Sequence, residues 1–165
     1  MAFTFYHTND WTFVQELFPD EDVYNSSACE GEHIYFIAYN EDCIPVGYMW
    51  CTEHTDEPLG FHPDQRWWIV TISTKRLADR TALVSEARQH FLGRVIEGST
   101  ARLNLYAGAQ TAADARDYML CGLTPVSTAD YDLAVHGGLM AVPLVPGAEL
   151  DRETRLPAAP AVAES

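Results

Sequence analysis

Positive charge is scarce in this chain. Ten lysines and arginines stand against 24 aspartates and glutamates, for a formal net charge of −14 over 165 residues. Non-specific binding to nucleic acid or to an anionic lipid surface needs a cationic face. Direct nucleic-acid binding and membrane binding are therefore not expected. Long apolar runs are missing too. No window approaches the roughly 18 apolar residues of a membrane helix. The stretch from Met1 to Tyr6 lacks the basic start and apolar core of a signal peptide. The four cysteines, Cys29, Cys43, Cys51 and Cys121, include no C-x-x-C pair and no zinc-finger spacing with histidine. Free, mostly buried thiols in a reducing cytoplasm are the expectation, although Cys43 and Cys51 flank a predicted hairpin on which they can face each other.

Familiar catalytic signatures are also lacking. Ser26, Ser27 and Ser73 have no Gly-x-Ser-x-Gly context, which argues against a serine hydrolase. There is no P-loop and no G-x-G-x-x-G. No pair among His7, His33, His54, His62, His90 and His136 has metal-ligand spacing on one helix. His54 and His62 share an acidic loop with Asp56, Glu57 and Asp64, a hint of a divalent-ion site. A solvated acidic loop is the simpler reading, and no metal is expected.

What the chain does have is enough apolar surface for one core. A hydrophobic content of 47% in 165 residues suits a single packed domain. Phe3 and Phe5 alternate with polar residues and predict a first strand. Asn9 or Asp10 can cap a helix through Phe18, which Pro19 stops. Asp20 to Ala28 reads as a second short helix or a loop. His33 to Tyr39 and Ile44 to Thr52 read as strands around an Asn40-Glu41-Asp42 turn. Glu53 to Asp64 reads as a loop. Trp67 to Ser73 is an almost continuous apolar run, fit for a central strand covered on both faces. Thr81 to Ile96 is predicted as an amphipathic helix ending at Gly98. A strand over Arg102 to Tyr106 follows, then a helix from Ala112 to Cys121 capped by Thr111 and ended by Gly122. Tyr131 to His136, Gly137-Gly138 and Leu139 to Leu144 give a strong hairpin signal. The domain is expected over 1–145, and the Pro/Ala-rich segment 146–165 is expected to be a tail.

The predicted order is strand, helix or helices, three strands, helix, strand, helix and a two-stranded finish. It resembles the GNAT (GCN5-related N-acetyltransferase) fold. That is an α/β (α+β) architecture with a mixed central sheet of about six to seven strands and about four helices. Two features carry the resemblance: the Trp67 strand running through a loop into the next helix, and Ala115 to Leu123, with Tyr118 four residues before Gly122. One feature departs from it. The family carries an Arg/Gln-x-x-Gly-x-Gly/Ala signature between that strand and helix, where glycines bring backbone amides onto the CoA pyrophosphate. Ser73 to Ala82 contains no glycine. It keeps Lys75, Arg76 and Arg80, which suit an anion or simply a solvated basic turn, and Asp79 works against an anion.

The pattern over residues 65–125 is also similar to small GNAT-like proteins encoded among the morphogenesis genes of T7-like podophages. That similarity implies a role in virion assembly or inside the virion, in the host cytoplasm or the particle. It carries no demonstrated need for CoA. Protein partners are expected through the C-terminal tail, which cannot build a core of its own. The broader resemblance implies different residues if the chain is an active, acetyl-CoA-dependent N-acetyltransferase. Tyr118 would protonate the leaving thiolate, and Glu53 beside His54 would serve as base. Backbone from Ile72 to Thr74 would donate to the oxyanion. Ile72, Thr74, Lys75, Arg76 and Arg80 would hold the cofactor. A third reading takes the acidic surface as a DNA-mimic inhibitor. Trp67 and Trp68 are expected in core and second-face packing rather than stacked on a base.

Overall fold

The computed structural model describes residues 2–26, 32–53, 67–95, 104–126 and 138–145. Its elements are β1 (Thr4–Thr8), α1 (Trp11–Leu17), β2 (His33–Tyr39), β3 (Pro45–Glu53), β4 (Trp67–Ser73), α2 (Leu77–Val95), β5 (Asn104–Ala109), α3 (Ala112–Leu120), β6 (Thr124–Val126) and β7 (Gly138–Pro143). The strands form one seven-stranded sheet in the order β1-β2-β3-β4-β5-β7-β6. Every neighbouring pair is antiparallel except β4 with β5, which is parallel. Three helices lie among the described residues, against the four or so expected.

The alternation of side chains along β2 and β3 explains why both faces are covered. Phe36, Ala38, Met49 and Cys51 point to one face and pack with Leu83, Val84, Ala87 and Phe91 of α2. Tyr35, Ile37, Tyr48 and Trp50 point to the other, where Val14 of α1 and Val23 meet them. Cys51 is buried in this core while Cys43 is exposed in the turn, and both thiols are free. They do not face each other across the hairpin, because Cys51 of β3 pairs with Ile34 and Cys43 lies in the turn.

On β4, Trp67 and Ile69 join the α2 face, and Trp68 packs with Tyr106 on the opposite face. The expectation that both faces of β4 are covered fails at Val70, which is 39% exposed. The β3–β4 register passes from Cys51↔Ile69 to Trp50↔Thr71 and skips Val70. That bulge turns the side chain out of the pleat. The parallel ladder to β5 covers only Trp67↔Leu105, Trp68↔Tyr106 and Ile69↔Ala107. From Val70 to Ser73 no register pair continues the ladder, and the two strands part.

The start of α2 differs from the expectation at Thr81. The helix begins at Leu77, so the connection from β4 is only Thr74 to Arg76. The strand pattern also differs at the end of the chain. β7 lies between β5 and β6. The predicted Tyr131 to His136 arm lies outside the described residues, as do the acidic loop with His54 and His62 and the tail 146–165. Among the described residues no helix is long and apolar enough to cross a membrane.

Candidate functional site

The site sits where β4 leaves the sheet and α2 begins. Gly47 of β3 permits the close approach. A Cβ there would lie 2.6 Å from the Thr74 Cβ and 2.9 Å from the Ser73 carbonyl oxygen. Thr74 is thereby held against the first turn of α2, and its hydroxyl donates to Asp79 Oδ2 at 3.0 Å. Arg76 donates from Nε to the same oxygen at 2.9 Å and from Nη2 to Oδ1 at 2.8 Å. Asp79 is 1% exposed. Its carboxylate is gripped in the two-pronged manner in which a guanidinium also grips phosphate. It sits in the first helical turn, where the helix dipole favours negative charge. Arg76 is pushed further up by the hydrogen bond and charge of Asp79.

Arg80, one residue on, donates from Nη2 to the Thr74 carbonyl at 3.3 Å and from Nη1 to Asp117 of α3. Two of the three expected phosphate-binding cations are therefore tied to carboxylates of the same chain. Lys75 is exposed beside them. It lines a groove of about 490 Å³ with Phe18, Glu21, Pro45, Val46 and Ser73.

Tyr118 lies behind the same strand end. Thr111 places its helix by accepting the Asp114 amide at 3.1 Å, and Gly122 ends it at φ 102°. Tyr118, Ile72, Arg80, Asp114, Asp117 and Cys121 line a cavity of about 70 Å³. Burial first, then the carboxylate of Asp114 and the nearby thiols, push the phenol well above its usual range, with Arg80 opposing. Burial also raises the Cys121 thiol, whose sulfur lies 3.7 Å from the Thr81 hydroxyl. Tyr118 therefore holds its proton more tightly than a free phenol does.

Of the residues named from sequence, Ile72, Arg80 and Tyr118 share the cavity, while Thr74, Lys75 and Arg76 line the groove. Glu53 stands apart. It pairs with Trp67 at the far end of the β3–β4 ladder, whereas Tyr48 pairs with Ser73. Glu53 lies five residue steps along the strand from Tyr48, about 17 Å at the usual rise. Glu21 lies at the Tyr48 end and accepts the Ser73 hydroxyl at 2.7 Å. No local pattern marks it in the sequence, because the contact spans 52 residues. Among the described residues no group of three His, Cys, Asp or Glu side chains is placed to hold a metal ion.

The β4–α2 loop lacks the glycines at which the family signature opens backbone to a CoA pyrophosphate. With Arg76 at the head of the Arg/Gln-x-x-Gly-x-Gly/Ala signature, Asp79 takes the place of the first glycine and Thr81 that of the second. The position that should present open backbone holds a buried carboxylate.

No protein-family model matches the sequence, and no curated protein matches it either. Solved structures do. The KacTA–DNA complex is 11% identical, covers 87% of this chain and 94% of its own, and has a TM-score of 0.55. Tetrahymena GCN5 is 14% identical, covers 90% and 99%, and scores 0.53. The aminoglycoside 6'-N-acetyltransferase from Enterococcus faecium is 15% identical, covers 90% and 100%, and scores 0.51. With its parallel β4–β5 splay inside an otherwise antiparallel sheet, the chain has the fold of the GNAT acetyltransferases.

Proposed function

We propose that this is a GNAT-fold protein that has given up its cofactor loop and serves a structural role in the assembly of a phage particle. One observation carries the loss of the loop: both of its arginines are committed to carboxylates of the same chain, Arg76 to Asp79 and Arg80 to Asp117. The phage role is supported by the sequence pattern over residues 65–125. The Pro/Ala-rich segment 146–165 is the proposed contact with partner proteins. The first test is a thermal melt with acetyl-CoA. A ligand present at about 100 times its dissociation constant adds about 2.7 kcal/mol to the folded state, so a binder's melting temperature rises clearly. No rise is expected here. The second test is mass spectrometry of purified particles. Presence in the particle supports the role, and a monomer found only in the lysate overturns it.

A second reading has its own support. Tyr118, Ile72 and Arg80 converge on one cavity at the strand splay, the arrangement that an acetyl-CoA-dependent N-acetyltransferase would need. In that reading Lys75, the chain's only lysine, is the cation left for phosphate. Stabilisation by acetyl-CoA that is lost in Lys75→Ala would favour it over the structural role.

A further inference from the structure

The β4–α2 connection is bonded by side chains of its own turn. In a glycine-bearing loop of this kind, backbone amides at the helix start face outward and wait for an anion. Here the same turn contains its own anion. Asp79 takes two donors on Oδ2, the Thr74 hydroxyl at 3.0 Å and Arg76 Nε at 2.9 Å, and one on Oδ1, Arg76 Nη2 at 2.8 Å. An ordinary helix-capping carboxylate stays wet. This one is withdrawn from water, with a side chain 2% exposed against 51% for its arginine.

The second arginine repeats the arrangement across two helices. Arg80 gives Nη1 to Asp117 and Nη2 to the Thr74 carbonyl. Its Nε is buried beside the small cavity with no acceptor among the described residues. Thr74 is common to both clusters, through its hydroxyl in one and its carbonyl in the other. Gly47, having no side chain, leaves room for it there.

We infer that Asp79 and Asp117 are tethered anions that occupy and neutralise an anion site formed by Thr74, Arg76 and Arg80. A site so formed would accept the phosphates of a diphosphate ester once the two carboxylates were removed. The carboxylates do for this loop what a bound phosphate does elsewhere. They satisfy the arginine fork, neutralise the start of α2 and fix Thr74. The inference rests on the reading that the native loop holds no cofactor, and it adds what fills the loop instead. It also accounts for a glycine-free connection that is nevertheless well bonded.

The test uses the full chain and the variants Asp117→Asn, Asp79→Asn and the double variant, each titrated with inorganic pyrophosphate and separately with CoA in a calorimeter. Wild type is expected to bind pyrophosphate only weakly and CoA no better. The double variant is expected to bind pyrophosphate about tenfold or more tightly than wild type, the worth of one charge-assisted hydrogen bond. That binding should weaken as salt is raised. CoA binding no tighter than pyrophosphate would show that the site reads phosphate alone. Pyrophosphate affinity unchanged across all four proteins would overturn the inference. Should Asp79→Asn fail to fold, Asp117→Asn decides. Asp117 is 42% exposed and its loss frees Arg80, so its pyrophosphate affinity must still exceed that of wild type. Wild-type stabilisation by acetyl-CoA would instead sink the reading of a lost cofactor site, a result distinct from unchanged pyrophosphate affinity in the variants.

Discussion

The Ser73 hydroxyl donates to the Glu21 carboxylate at 2.7 Å, joining the segment after α1 to the last residue of β4. Ser73 is the register partner of Tyr48, so the contact also draws negative charge toward that phenol. Burial first, then Glu21, Tyr35 and Asp22, raise Tyr48 from 10.0 to about 12. The folded state therefore holds this proton more tightly than the unfolded chain does. The stability that results is fully present below pH 10 and is lost as pH rises from 10.0 toward about 12. Urea midpoints measured across that window should fall for wild type and fall less for Tyr48→Phe. The slope that remains belongs to Tyr39, Tyr118, Cys51 and Cys121, which burial also raises. Glu21→Gln should bring the tyrosinate titration to lower pH and, at an exposed position, change stability by no more than about 0.5 kcal/mol.

Gly47→Ala tests how tightly the loop is held. The added methyl group would sit 2.6 Å from the Thr74 Cβ and 2.9 Å from a backbone oxygen, neither of which is the free end of a flexible side chain. Strand or loop must move, at a cost of about 1–3 kcal/mol. Thr74 then shifts relative to Asp79. The expected signature is a lowered urea midpoint together with faster hydrogen exchange in the first turn of α2.

The sequence was most legible where one element's own residues decide its structure. Apolar runs mark β2 and β4 to the residue, because both are paired on each side in the middle of the sheet. Asp10 and Thr111 announce α1 and α3, because each cap is a bond between near neighbours. The start of α2 at Leu77 was hidden. Leu77 is exposed and carries no periodic signal, and the first turn is held by the Thr74, Arg76 and Asp79 side chains rather than by burial. The strand β6 was hidden as well, being three largely exposed residues around Pro125. At the site, Tyr118, Ile72 and Arg80 followed from the fold that the element order implied. Glu21 and Asp117 did not, because their partners lie 52 and 37 residues away.

Phe91→Ala should be the most damaging single change in the core. Phe91 stacks on Trp67 at 4.3 Å with rings 14° apart, and meets Phe36 edge-on at 5.7 Å and 87°. It is fully buried between α2 and the sheet. Removing the ring forfeits its burial and leaves a cavity that rigid strands cannot close, at about 3–5 kcal/mol. Equilibrium urea unfolding gives the number. Trp67 should also show altered fluorescence in the folded variant, since its stacking partner is gone.

Helix α3 depends more on its ends than on its face. None of its residues is fully buried, in contrast to α2 with Leu83, Val84, Ala87 and Phe91. The two ends are fixed by the Thr111 hydroxyl, which accepts the Asp114 amide, and by Gly122 at φ 102°, beyond which the Leu123 amide returns to the Tyr118 carbonyl at 3.0 Å. Thr111→Ala removes the first fixture at about 1 kcal/mol. Gly122→Ala forces a side chain into left-handed backbone at about 1 kcal/mol or more. These costs fall on a helix held loosely by packing, so local opening should respond more than global unfolding does. Amides from Ala115 to Leu120 are expected to exchange several-fold faster in either variant, by about the fivefold that 1 kcal/mol represents, while those of α2 change less. Equal acceleration in both helices would mean that α3 opens only with the whole domain, and that Tyr118 is held by the core rather than by its caps.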